Sequence, residues 1–449
     1  MSIAARRILL GVVGIAVLVL AAAVWFIRGP GPMAFADGAK VTLADYHGAD
    51  PTGVPSALAK ASLVERGAYL AHAADCEACH TTGGGKPYAG GVGFKLPFGA
   101  LYSTNITPDK ETGIGNYSDQ DFLNAVHRGI RRDGARLYPA MPYPSYTYMT
   151  DADALAIKAY LFSLPPVHAP APENTLAFPF NQRWAMMFWS AVFNADARFE
   201  PDPAKGPEWN RGAYLSEALA HCGECHTPRN LAFALDNRKK FAGAVTAGWR
   251  AFNITSDKAT GIGGWRDEDL VSYLAIGHAD GHGTASGPMG EAVDRSFSQF
   301  APEDVRAVVA YLRTVPAIAS PDLPASVAPP APASHKQGGT ADARGKMVFE
   351  GACVSCHGWT GESPISPFAT IAGAWAVNDP SGVNVVQVVI SGTSRKNPPD
   401  AISMPAFGDA YSDAEIASLA NYVTARFGAK GSQLTASDVA ELRKQSAEE

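Results

Sequence analysis

Cys76-Glu-Ala-Cys79-His80, Cys222-Gly-Glu-Cys225-His226 and Cys353-Val-Ser-Cys356-His357 together hold all six cysteines of a 449-residue chain. Working outward from these three pentads exposes a threefold internal repeat, the feature to settle before any secondary structure is read. Upstream, each unit opens with a glycine on a short helical pattern: Arg66-Gly67-Ala-Tyr-Leu, Arg211-Gly212-Ala-Tyr-Leu and Arg344-Gly345-Lys-Met-Val. Downstream comes an apolar helical stretch ending in glycine, Asp121–Gly129, Asp269–Gly277 and Asn384–Gly392. Twelve residues beyond each of those glycines stands a methionine next to a proline: Met141, Met289 and Met404. Each unit closes with an amphipathic helix carrying a tyrosine (Asp151 to Leu164, Pro302 to Val315, Ser412 to Phe427), its apolar residues spaced by three and four. The pairs Gly67/Tyr160, Gly212/Tyr311 and Gly345/Tyr422 mark where first and last helices are expected to cross, glycine permitting the close approach. Units one and two are the more alike. Both carry Asn-Ile-Thr (from Asn105 and Asn253), then Asp-Lys-x-Thr-Gly-Ile-Gly (from Asp109 and Asp257), then an aromatic, Tyr117 or Trp265.

Cys-x-x-Cys-His is the attachment signature of c-type haem. The two thiols add to the porphyrin vinyl groups, and the adjacent histidine supplies an axial nitrogen to the iron. This predicts three covalently bound haem c groups, with thioethers at Cys76, Cys79, Cys222, Cys225, Cys353 and Cys356 and axial ligands at His80, His226 and His357. Methionine sulfur is polarisable and raises the reduction potential relative to two nitrogen ligands, so the recurrent spacing nominates Met141, Met289 and Met404 as second axial ligands. Core packing is the alternative for these methionines. The eight other histidines do not recur at equivalent positions; His72 and His221 read as surface or haem-propionate neighbours. Tetrahedral zinc wants four ligands close together, whereas these pairs lie more than 100 residues apart. A disulfide two residues across would staple little. Tyr117, Trp265 and the Asn-Ile-Thr residues are candidates for propionate hydrogen bonds or for packing, and the sequence leaves both open. No residue reads as a substrate-oxidising catalyst.

Composition frames this reading. With 47% hydrophobic and 18% charged residues the chain is globular, and a net charge of −6 argues against nucleic-acid binding. Residues 8–27 are an uncharged, mostly aliphatic run long enough to span a bilayer. Arg6 and Arg7 before it favour an inside amino terminus with the body outside, and Trp25 suits an interfacial anchor. A cleaved signal ending at Ala34-Phe35-Ala36 is the rival, though the run exceeds a signal's apolar core. The expected organisation is an anchor at 8–27, domain one at 60–165, and a linker at 166–205 containing an apolar aromatic stretch. Domain two follows at 206–316, a Pro/Ala spacer at 317–340 and domain three at 341–429. The stretch Trp184–Phe193 is too apolar for a plain linker; it suits a partner subunit, the membrane, or a helix bridging the first two domains. The tail beyond Phe427 is polar, suits one short helix and is otherwise uninformative.

Each unit resembles a small class I cytochrome c domain, which implies an all-α chain of three tandem haem domains behind a transmembrane helix. The whole resembles the tri-haem cytochrome c subunits of membrane-bound alcohol, aldehyde and gluconate dehydrogenases of acetic acid bacteria. The segments carrying this are Tyr88-Ala-Gly-Gly, Tyr102-Ser-Thr-Asn-Ile-Thr-Pro-Asp, Thr112-Gly-Ile-Gly, Leu137-Tyr-Pro-Ala-Met-Pro-Tyr-Pro-Ser-Tyr, Gly287-Pro-Met-Gly-Glu and Ser403-Met-Pro-Ala-Phe. The resemblance implies Met/His ligation at the positions named. It also implies a catalytic dehydrogenase partner of molybdenum/iron–sulfur or quinoprotein type, with a small third subunit, at the periplasmic side of the inner membrane. Electrons would pass from that partner to ubiquinone. The anchored terminus departs from the alcohol dehydrogenase relatives and tilts the reading toward an aldehyde dehydrogenase. A multi-haem peroxidase, an independent electron shuttle and a terminal-oxidase subunit remain as alternatives.

Overall fold

A computed structural model describes residues 3–34, 51–321, 343–395 and 403–446. Most of the 317–340 spacer, and two residues of the Ala34-Phe35-Ala36 cleavage candidate, lie outside the described residues. Helix α1 (Ile3–Arg28) contains the apolar run and is long and apolar enough to cross a membrane.

Unit one runs through α2 (Leu63–Ala73), the one-turn α3 (Cys76–His80), strands β1 (Gly93–Leu96) and β2 (Gly99–Tyr102), α4 (Asp119–Arg128), α5 (Tyr143–Tyr146) and α6 (Asp151–Ser163). Helix α7 (Met186–Phe193) follows. Unit two repeats the plan with α8 (Pro207–Ala213), α9 (Gly223–His226), β3 (Ala244–Thr246), β4 (Trp249–Ala251), α10 (Asp267–Ile276), β5 (His278–Ala279), β6 (Gly283–Thr284), α11 (Gly287–Arg295) and α12 (Pro302–Leu312). Unit three has α13 (Ala343–Val348), α14 (Val354–His357), α15 (Trp375–Asn378), α16 (Val383–Ser391), α17 (Asp413–Phe427) and α18 (Ala436–Gln445).

Local chemistry explains the helix ends. Ser62/Glu65, Ser118/Asp121 and Ser412/Glu415 form reciprocal capping boxes at the starts of α2, α4 and α17. Gly129 and Gly277 close α4 and α10 in left-handed conformation. The expected crossings are present in all three units. A Cβ added to Gly67, Gly212 or Gly345 would stand 1.9, 1.9 and 2.0 Å from the carbonyl oxygens of Ala156, Ala307 and Ser418, beside Tyr160, Tyr311 and Tyr422.

One expectation needs correction. The chain is mostly helical rather than all-α, because β1–β2, β3–β4 and β5–β6 form antiparallel ribbons. In β3–β4 the reason is local: Ala247 (φ 50°) and Gly248 (φ 76°) make a two-residue turn with both φ positive, the geometry that matches strand twist. The polar tail does form one short helix: α18 packs on α16 and α17, buries Val439 and ends with Ser446 Oγ donating to Gln387 Oε1 at 2.6 Å.

Units one and two share one continuous apolar core, whereas unit three has its own. The shared core is closed by reciprocal contacts. Tyr69 of α2 donates to Asp304 of α12, and Tyr214, just beyond α8, donates to Asp153 of α6 at 2.5 Å. Unit three docks on unit two, where Trp375 lies 5.0 Å from Trp265 and 5.1 Å from Phe252 between ring centroids.

Candidate functional site

In every unit the pentad winds into one helical turn, α3, α9 or α14, and its histidine folds onto a backbone carbonyl. His80 Nδ1 meets Thr104 O, His226 Nδ1 meets Phe252 O, and His357 Nδ1 meets Ala369 O, each at 2.6 Å. A carbonyl only accepts, so Nδ1 carries the proton and Nε2 keeps its lone pair for a metal. Burial holds all three imidazoles below their ordinary pKa, favouring the neutral ligand form. Burial likewise pushes the thiols up, to about 12 for Cys76 and Cys222 and about 11 for Cys225 and Cys353. None of these is a ready thiolate. Among the described residues no cluster of three His, Cys, Asp or Glu has the proximity a tetrahedral zinc site requires.

These acceptors settle what Asn-Ile-Thr does, since Thr104 and Phe252 immediately precede Asn105 and Asn253. Asn105 Oδ1 accepts from the Thr107 N–H at 2.9 Å and its Nδ2 donates to Val167 O at 2.6 Å. Asn253 does the same with the Thr255 N–H at 2.9 Å and Ile318 O at 2.6 Å. The asparagines brace the loop carrying the histidine's acceptor against the chain that leaves the last helix. Of the two readings the sequence left open for them, the structural one holds. In unit three Ala369 sits in a short turn held on unit two, where Thr284 Oγ1 donates to Phe368 O at 2.9 Å.

In unit one a cavity of about 250 Å³ brings Cys76, Cys79, His80 and Met141 together, walled by Phe122 and Val126 from α4 and Ile157 and Leu161 from α6. Tyr117 lines the same cavity. Met289 lies in the first turn of α11, half-buried against the shared core. Met404 is half-buried against the unit-three core, its backbone paired both ways with Thr393 at 2.8 and 3.0 Å. Trp265, the counterpart of Tyr117, stacks on His282 at 3.6 Å, and its Nε1 is buried without a hydrogen-bond partner. A buried N–H of that kind suits an oxygen of a bound group, as a haem propionate offers. The donors fit haem c: in each unit a thiol pair and a neutral imidazole with Nε2 available, in unit one a methionine in the same apolar cavity, and in unit two a spare N–H.

Units one and two place their pentads side by side. Arg295 of α11 lies 3.2 Å from Glu77 of α3, and Ser145 Oγ donates to Glu224 Oε1 at 3.1 Å. His221 is part of this junction, its ring 5.4 Å from that of Tyr146, and not a surface residue. Neither cross-unit pair carries a sequence signal, because each joins residues of different repeats.

The cytochrome c family pattern matches residues 64–165 and 343–426. The chain is 38% identical over 416 residues to the fructose dehydrogenase cytochrome subunit of Gluconobacter japonicus, covering 88% of this chain and 85% of the relative. It belongs to the family of dehydrogenase cytochrome c subunits. It is also 38% identical over 404 residues to the gluconate 2-dehydrogenase cytochrome c subunit of Pantoea cypripedii, covering 85% of this chain and 90% of that one. The cytochrome c subunit of the quinone alcohol dehydrogenase of Komagataeibacter europaeus is 36% identical over 400 residues, with 86% and 85% covered. As a cytochrome c, this family member carries covalently bound haem c.

Proposed function

We propose that the chain is the electron-transfer subunit of a dehydrogenase complex held in the inner membrane by α1, with its body on the periplasmic side. Electrons from a catalytic partner that oxidises an alcohol, aldehyde or sugar acid are relayed through three haem c groups to ubiquinone. The observation that carries this reading is the threefold His Nδ1–carbonyl bond at 2.6 Å, a ligand set prepared three times. Family membership supports the dehydrogenase partner, and a quinone-named relative supports the acceptor.

The haem supplies a reversible ferrous–ferric couple when bound. The chain's residues do the rest. Cys76/Cys79, Cys222/Cys225 and Cys353/Cys356 tether the groups. His80 with Met141, His226 with Met289 and His357 with Met404 would hold the irons, and the apolar walls would exclude water and raise the potential. The side-by-side pentads of units one and two, and Trp375 against Trp265, keep the relay short.

The test is purification of the complex from membranes, with haem quantified per chain and subunits identified by mass spectrometry. Three haems per chain and a co-purifying dehydrogenase subunit are expected. A copper/haem oxidase core in its place, or hydrogen peroxide turnover by the isolated chain at a high-spin haem, overturns the reading.

A further inference from the structure

Among the described residues, half of the exposed large apolar side chains outside α1 fall in two short segments. Phe178, Phe180, Trp184, Met187 and Phe188 lie before and on α7, and Leu231 and Phe233 lie in a unit-two loop. The segments form one patch. The Phe98 ring stacks on Phe180 at 3.9 Å and meets Phe233 edge-on at 5.5 Å. Trp189 Nε1 donates to Ala232 O at 2.7 Å, fastening α7 to the loop.

The same region of unit two grips the end of α1. Asn230 Nδ2 donates to Ile27 O at 3.1 Å, the Arg238 guanidinium to Phe26 O at 2.7 Å, and Asn237 Nδ2 to Pro30 O at 3.1 Å. Arg238 also lies over the Phe26 ring at 5.0 Å. Helix α1 touches α7 as well. Leu231, next to the asparagine that holds Ile27, is 98% exposed. The last turn of a spanning helix lies at the hydrocarbon boundary, so a loop bonded to that turn lies at the same depth.

We infer that this patch is a membrane-seating surface, with Phe178, Trp184, Met187, Phe188, Leu231 and Phe233 entering the interfacial layer of the leaflet from which α1 emerges. The inference rests on α1 being the spanning anchor of the proposed function. Its chemistry is that of an interface: aromatic bodies with one polar handle, the Trp184 Nε1–Gln182 Oε1 bond at 3.2 Å, arranged around the exposed Trp25 and ending at Arg28. The body is then seated on the bilayer with unit two and α7 lowest, rather than swinging on a tether.

Nitroxide labels at Leu231→Cys, Leu18→Cys and Ile365→Cys, each introduced singly into the purified complex in lipid vesicles, test this. Power saturation compares collision with oxygen, which concentrates in bilayers, and with a water-soluble nickel chelate. Labels at 231 and 18 should show oxygen-to-nickel accessibility ratios several-fold above the label at 365 on unit three. A nickel-accessible label at 231 beside a lipid-exposed label at 18 overturns the seating surface and leaves the anchor standing. A label at 231 shielded from both reagents means that a protein subunit covers the patch, and also overturns it. A nickel-accessible label at 18 brings down the anchor and the seating surface together.

Discussion

Asn105 shows how much of a haem site is held by residues that never touch iron. Its side chain satisfies the Thr107 N–H and the Val167 carbonyl, one residue beyond the carbonyl that orients His80. Asn105→Ala leaves both groups without this partner, at a cost of about 1–3 kcal/mol. Thermal unfolding should report that loss, and a redox titration should show one potential displaced with two unmoved. Met141→Ala should remove one of three low-spin Met/His components from the reduced spectrum; an unchanged spectrum and potential would reassign that ligand to core packing. The place of Met141 beside Cys76, Cys79 and His80 was legible because the methionines recur at a fixed distance from a glycine. The histidine's acceptor was not, because any residue supplies a backbone carbonyl. Only the Asn-Ile-Thr that follows Thr104 and Phe252 hinted at it.

His127 carries a pH dependence of its own. It is fully buried in α4, with Asp151 Oδ1 3.5 Å from Nδ1, and burial, reinforced by the Arg198 charge, lowers its pKa from 6.5 to about 4. As pH falls through 6.5 the unfolded chain takes up a proton that the folded chain refuses. Stability therefore declines between about pH 6.5 and pH 4 and levels off below, by up to about 3 kcal/mol from this group. Urea midpoints at pH 7 and pH 4.5 should converge in His127→Leu relative to the unsubstituted protein.

Among the elements, the helix crossings were the most legible. A conserved chemistry is not needed to read them: a glycine within the first six residues of a helix, paired with a tyrosine at the far end of the unit, states the geometry. Gly67→Ala forces a methyl onto Ala156 O and the Tyr160 Cβ, and overpacking at a backbone crossing costs about 3 kcal/mol or more. Gly351→Ala, where an added Cβ meets nothing within 4 Å, is the matched control and should leave the melting temperature unchanged or raised. Yield of haem-loaded protein and thermal unfolding of both variants check this. What could not be read at this scale were the ribbons and the packing of α18. The β3–β4 turn is only Ala247-Gly248, and α18 buries too few side chains, Val439 foremost, to announce where it docks.

In the whole molecule, three similar sequences take two kinds of neighbour. Tyr69 and Tyr214 reach across to Asp304 and Asp153, and each hydroxyl also accepts the N–H of the residue capping the partner unit's last helix, Ala301 or Thr150, at 3.2 Å. Unit three has Met347 in place of that tyrosine, and its Glu415 turns back onto Ser412 instead, so it cannot enter this pairing. It docks through Arg395, which is buried and bonds Asp294 Oδ1 at 2.7 and 3.0 Å together with the Ile276 carbonyl at 3.3 Å. The sequence spoke to none of this, because pairing between repeats leaves no periodic trace.

Arg395→Ala strips Asp294 of that guanidinium inside a closed interface, and breaking a buried pair from one side costs about 3–5 kcal/mol. The core of unit three is its own, so the loss should appear as undocking rather than unfolding. Hydrogen exchange should rise along the faces where Trp375 meets Trp265 and Phe252, while α17 stays protected. The potential assigned to unit three should shift too, since the turn carrying the acceptor of His357 is held on unit two by Thr284. The rate at which electrons cross between units two and three should fall by an order of magnitude or more in rapid-mixing experiments. The double variant Arg395→Met with Asp294→Leu, which removes both charges of this pair, should recover much of the docking and of the rate. A variant that transferred electrons at full speed while undocked by exchange would show that the relay does not run through this junction.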